Sequence, residues 1–180
     1  TMSSMFNSAS NSSYPAIFAA LWNLELAGIF FFADKLFRTP LGVVTESIGN
    51  VYYSATSKLY PNNIHDIIAL TKNIQLKLIL FLVISIGALN IFGEQILAIF
   101  GKEWSGSVEV IFSISILVFF KSLYSSISTL LDVFQKQKLL LYVNISLFFS
   151  QVITLFAFYN VYSFYTVILL SSIVGALQYL

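Results

Sequence analysis

From Leu139 to Leu180 the sequence carries no charged side chain, a run long enough for two apolar helices. A membrane-spanning helix needs about 20 mostly apolar residues. The polar, turn-prone stretch Asn160 to Ser163 divides the run into spans near Leu139 to Phe158 and Phe164 to Leu180, which predicts a helical hairpin. Leu78 to Phe92 is also free of charge and continues through Gln95 to Ala98 towards Gly101, with Glu94 near its outer end. Val108 to Leu131 is a further apolar stretch, interrupted near its middle by Lys121.

The first part of the chain is more polar. A helix from about Met5 to Trp22 is rich in Ser and Asn, and a second, longer one begins near Leu24. The second contains Asp34, Lys35, Arg38, Pro40 and Glu46. Proline has no amide hydrogen to give the carbonyl one turn earlier, so a bend is expected at Pro40. The pattern as a whole predicts an all-α, polytopic transmembrane bundle of about six helices.

Between these helices, Ser57 to Lys77 reads as the longest polar loop. It carries Lys58, Lys72 and Lys77, and Ile64 to Leu70 would lie flat on the membrane surface as an amphipathic turn. A second basic loop, Gln135 to Lys138, carries Lys136 and Lys138. The two lie two spans apart and so on one side, whereas the opposite side has Lys102 as its only basic residue. Short cytoplasmic loops are enriched in Lys and Arg. Both basic loops, and with them both chain ends, are expected in the cytoplasm.

Composition agrees with lipid as the solvent. Hydrophobic residues make up 58% and charged residues 9% of the chain, against about 25% charged in a typical soluble domain. So few charges would leave a water-exposed surface largely uncovered. With no cysteine, disulfides, thiolate metal sites and cysteine nucleophiles are excluded. A formal net charge of +1 leaves no basic surface of the size nucleic acid requires. Glycine-loop, HExxH and GxSxG motifs are absent from the sequence, which argues against an enzyme, and no cofactor or metal is expected.

The residues needing explanation are the charges inside the spans, each of which costs at least about 2.5–3.5 kcal/mol at the bilayer centre unless it faces a cavity or a partner. Asp34 and Arg38 stand four apart with the acid first, the favourable order for a helical ion pair. Lys35 and Glu46 are close to three turns apart and share a face. Lys121 lies too far from either end of its span to reach the headgroups easily. Lys35, Arg38 and Lys121 are therefore the candidate cavity cations, with Asp34 and Glu46 as candidates for ion coupling or structural pairing. The uncharged Asn50, Ser122, Ser125, Ser126, Asn144 and Gln151 read as hydrogen-bonding glue between helices. Tyr52, Tyr53, Trp104 and Tyr162 read as interfacial anchors at span ends.

Several of these segments resemble one family. Ala27-Gly28-Ile29-Phe30 followed by Ala33-Asp34-Lys35-Leu36-Phe37-Arg38-Thr39-Pro40-Leu41 is similar to a signature of polysaccharide flippases, with Lys35 where that family commonly has Arg. Ile48-Gly49-Asn50-Val51-Tyr52-Tyr53, Phe100-Gly101-Lys102-Glu103-Trp104-Ser105 and Gln135-Lys136-Gln137-Lys138 extend the likeness in order along the chain. The match is to the O-antigen and exopolysaccharide branch of the multidrug/oligosaccharidyl-lipid/polysaccharide exporter superfamily. The resemblance implies two helical bundles around a central cavity, residues 1–180 forming most of the second and the N-terminal half lying outside this sequence. It further implies alternating-access transport of an undecaprenyl-pyrophosphate-linked oligosaccharide across a bacterial cytoplasmic membrane. A drug/cation antiporter of the same superfamily is the first alternative, and a membrane polysaccharide polymerase or acyltransferase the second.

Overall fold

The computed structural model describes residues 13–179 apart from 15 and 105. After a short helical segment at residues 16–21, seven helices follow: α1 (Leu24–Leu59), α2 (Ile64–Ile91), α3 (Gly93–Ala98), α4 (Ser107–Ser128), α5 (Leu130–Val133), α6 (Gln137–Phe158) and α7 (Phe164–Leu177). Among the described residues there is no strand, and the all-α bundle expected from the sequence is what forms. The start of the predicted first helix, residues 5–12, lies outside the described residues. Three stretches, Ile64–Ile91, Ser107–Val133 and Gln137–Phe158, are long and apolar enough to cross a membrane.

Local chemistry sets the boundaries. Asn23 caps α1, its Oδ1 accepting from the Leu26 amide at 2.8 Å, and Ser163 caps α7 through Thr166. Such caps satisfy backbone donors that the first helical turn leaves without partners. Pro40 lies within α1 without ending it. The hairpin of α6 and α7 turns at Tyr159 to Ser163, as the polar break predicts.

Two expectations fail at α2. Ser57 to Lys77 is not a loop: α1 runs to Leu59, α2 starts at Ile64, and only Tyr60 to Asn63 connect them. Ile64 to Leu70 is the opening of a continuous helix of 28 residues, not a separate surface turn. At 1.5 Å per residue that helix is about 42 Å long, longer than a hydrocarbon core of about 30 Å. Lys72 and Lys77 are exposed side chains of that helix itself and not of a loop. The apolar stretch after Leu78 also breaks sooner than expected, at Phe92, and restarts as the short α3.

Helix α4 is the centre of the bundle, packed against α1, α2 and α7. It runs parallel to α1. Ser107 Oγ donates to the carbonyl of Ile29 and Thr129 Oγ1 to that of Gly49, each at 3.4 Å, so the pairing is offset by 78 residues at one end and 80 at the other. The two crossing points are separated by about 30 Å of helix, the thickness of a hydrocarbon core. The backbones come close there: a Cβ on Gly49 would meet the Ser126 carbonyl oxygen at 3.6 Å, an ordinary contact distance. Elsewhere Gln75 Nε2 donates to the Leu123 carbonyl at 3.0 Å and Asn90 Nδ2 to Ser115 Oγ at 2.9 Å, holding α2 on α4. Lipid removes the hydrophobic drive for helices to associate, so packing and such hydrogen bonds carry more of the work.

Tyr52 corrects another expectation. It is fully buried between α1 and α2, its hydroxyl 2.6 Å from Thr71 Oγ1, and so is a core residue and not an interfacial anchor. Trp104 stacks on Phe32 with ring centroids 4.2 Å apart. Tyr53 and Tyr162 remain exposed.

Candidate functional site

One cavity gathers the charges of the interior. Asp34, Lys35 and Arg38 reach it from α1, and Lys121 from α4. A single turn of α1 presents three of them, because residues three and four apart share a helix face. Lys121 joins because α4 runs parallel to α1. The cavity has about 150 Å³ open to the centres of water molecules.

Within it, Arg38 Nη2 lies 2.7 Å from Asp34 Oδ1, the i, i+4 pair anticipated from the sequence. Neither partner is sealed in protein, the side chains being 29% and 16% exposed. Arg38 Nε is buried and has no hydrogen-bond partner among the described residues. Lys35 is exposed, and its Nζ lies 5.4 Å from the centroid of the Phe31 ring, within cation–π range. Three cations thus face the cavity against one carboxylate, which is already paired.

The remaining wall is largely apolar and aromatic, with Phe30, Phe31, Leu117, Leu147, Phe148 and Leu155 among its side chains. Tyr14 closes one side. Its hydroxyl donates to Gln151 Oε1, and its ring meets Phe148 edge-on at 5.9 Å. Gln151 lies against α7, where a Cβ on Gly175 would come within 2.6 Å of Gln151 Nε2 and 2.8 Å of Leu117 Cδ1. Both are the far ends of flexible side chains, which would have to move to admit a larger residue at position 175.

Four of the five sequence-predicted site residues therefore share the cavity. Glu46 does not line it. It lies farther along α1 in an adjoining groove, which Arg38 and Lys121 also line. Tyr14, Gln151, Ser171 and Ser172 belong to the cavity but were not assigned to it from sequence. Gln151, the one amide in its helix pointing into this cavity lining, was read as glue. Among the described residues no group of three or more His, Asp or Glu is placed to hold a metal ion.

Fold and cavity together define a helical membrane protein with a cationic pocket walled by apolar side chains. No family profile, curated protein or solved structure matches the chain.

Proposed function

We propose that the protein is a transporter for an anionic lipid-linked substrate, and specifically a flippase that moves an undecaprenyl-pyrophosphate-linked oligosaccharide across the bacterial cytoplasmic membrane by alternating access. The observation that carries this reading is the convergence of Lys35, Arg38 and Lys121 on one cavity with a single, already paired acid. A pyrophosphate cannot enter hydrocarbon unpaired. Arginine and lysine offer it charge-assisted hydrogen bonds, and Arg38 retains an unused Nε. Lysine at position 35 supplies charge without the planar fork of arginine. In this reading the chain acts as a transporter and not an enzyme, both ends lie on the cytoplasmic side, and a second bundle completes the transport path.

The test is flux of a labelled lipid-pyrophosphate oligosaccharide in cells, comparing wild type with Lys35→Ala, Arg38→Ala and Lys121→Ala at matched membrane abundance. Arg38→Ala and Lys121→Ala are expected to lower flux at least tenfold, about 1.4 kcal/mol or more, and Lys35→Ala less. Unchanged flux in all three would overturn the flippase reading and favour the antiporter, whose coupling acids would then be Asp34 and Glu46.

A further inference from the structure

The cavity continues past Arg38 and Lys121. These two side chains also line a second groove, with about 390 Å³ open to water centres, which runs between α1 and α4. Along α1 the groove extends from Arg38 to Asn50, about 18 Å at 1.5 Å per residue. Because α1 and α4 are parallel, the chambers are stacked end to end, with the cations at their junction.

The two chambers differ in chemistry. On one side of the cations the walls are mainly aromatic and aliphatic, with Tyr14, Gln151, Ser171 and Ser172 as the polar exceptions. On the other they are Thr45, Glu46, Asn50, Ser122, Ser125 and Ser128, with Gly42 and Gly49 leaving room on α1. The hydroxyls of this bundle commonly close onto a carbonyl of their own helix, as those of Thr45, Thr56, Thr71, Ser113, Ser115 and Thr154 do. That is the usual fate of Ser and Thr in helices. Ser122 and Ser125 make no such bond, and Glu46 and Asn50 have no partner among the described residues. Thr129 alone ties this stretch of α4 to α1 through Gly49, so the groove's polar groups are not all consumed as glue.

With Thr45 and Ser128 closed onto carbonyls of their own helices, Asn50, Ser122 and Ser125 are the uncharged groups left open beside the Glu46 carboxylate, and they suit a ligand part that is itself neutral and rich in hydroxyls. We infer that the Ser/Thr/Asn groove between α1 and α4 is a second subsite, which takes the hydroxyl-rich, uncharged portion of an amphiphile. Its anionic linkage sits at Arg38 and Lys121, and its apolar part enters the aromatic chamber. The inference rests on the anion-binding reading above and adds the direction in which the ligand lies: apolar part towards Phe30, hydroxylated part towards Asn50.

Two probes of equal charge test it on the full chain in lipid nanodiscs: the methyl ester of farnesyl pyrophosphate, and farnesyl pyrophosphate esterified to a disaccharide. Wild type is expected to bind the disaccharide probe at least fivefold tighter than the methyl ester. Ser125→Leu and Asn50→Leu fill the groove and are expected to bring the two probes to one affinity. Equal affinities in wild type, or an advantage for the sugar that survives both substitutions, would overturn the subsite and make the groove a water-filled passage. Should a leucine variant lose both probes through misfolding, Ser125→Ala with Asn50→Ala decides by the same difference. Arg38→Ala is expected to weaken both probes at least tenfold. If neither probe binds wild type, the anion reading and this subsite fail together; if both bind through Arg38 without a sugar difference, only the subsite fails.

Discussion

Helices α2 and α4 are both long and apolar enough to cross a membrane, but they occupy opposite situations. Of the most apolar stretch of each, 44% is buried in α4 and 11% in α2. Their difference lies in the small and hydroxylated residues. Helix α4 buries Ser107, Ser113, Ser122 and Ser126 along with Val110, Ile111 and Ile114, whereas α2 buries only Ile67, Leu78 and Leu82. In water the more apolar helix would be the inner one; in lipid, apolar surface can face outwards at no cost, and small or polar residues mark the inside. Charge follows the same division, since Lys121 enters a cavity from α4 and Lys72 and Lys77 are exposed on α2.

Substitutions can break this contrast. The largest effect is expected for Ile114→Ala on α4, where a side chain only 1% exposed is removed and the cavity left costs about 2–5 kcal/mol, read as a loss of unfolding free energy in detergent micelles. Gly175→Ala, which pushes a methyl group against Gln151 and Leu117, should cost about 1–3 kcal/mol and appear as a lower thermal midpoint of the purified protein. Tyr52→Phe removes the hydroxyl bonded to Thr71 and should cost about 1 kcal/mol in the same assay. Ile84→Ala, at a position on α2 that is 62% exposed, should change stability by less than about 0.5 kcal/mol. A loss at Ile84 as large as that at Ile114 would show that α2 is covered by another part of the protein.

Much of the fold was legible from sequence where one physical rule acted alone. The charge-free tract after Leu139 could only be apolar helix, and its single polar break fell where α6 meets α7. The lysines of α2 mislead because basic residues suggest a loop, whereas Lys72 and Lys77 stand on the exposed side of one continuous helix. Tyr52 misled for a related reason: it was placed at a span end because the helix was taken to stop soon after, but α1 and α2 stay packed there through Thr71. In the site, Asp34 and Arg38 were readable from local spacing and Lys121 from the cost of a charge in a span. Tyr14, Gln151, Ser171 and Ser172 come from three separate segments, carry no charge, and meet only through tertiary packing, with α6 set on α7 and α7 on α4. Nothing local to each of them announces that meeting.

Parallel neighbours have an electrical consequence. Aligned peptide units leave a partial positive charge at a helix's start and a partial negative one at its end, and α1 and α4 place like ends side by side. Glu25 and Glu109 stand in their first turns, and Lys58 stands in the last turn of α1. At that same end Tyr60 meets Phe134, which brings Lys136 and Lys138 to the neighbourhood through the short turn before α6. The parallel pair of α1 and α4 is thus compensated by Glu25 and Glu109 at its shared start and by Lys58 at the end of α1, while the acids Asp66 and Asp132 also stand near that basic end. Lys58 therefore meets the partial negative charge at the end of α1, and a basic residue at such a position is also the kind that biases a helical protein's insertion.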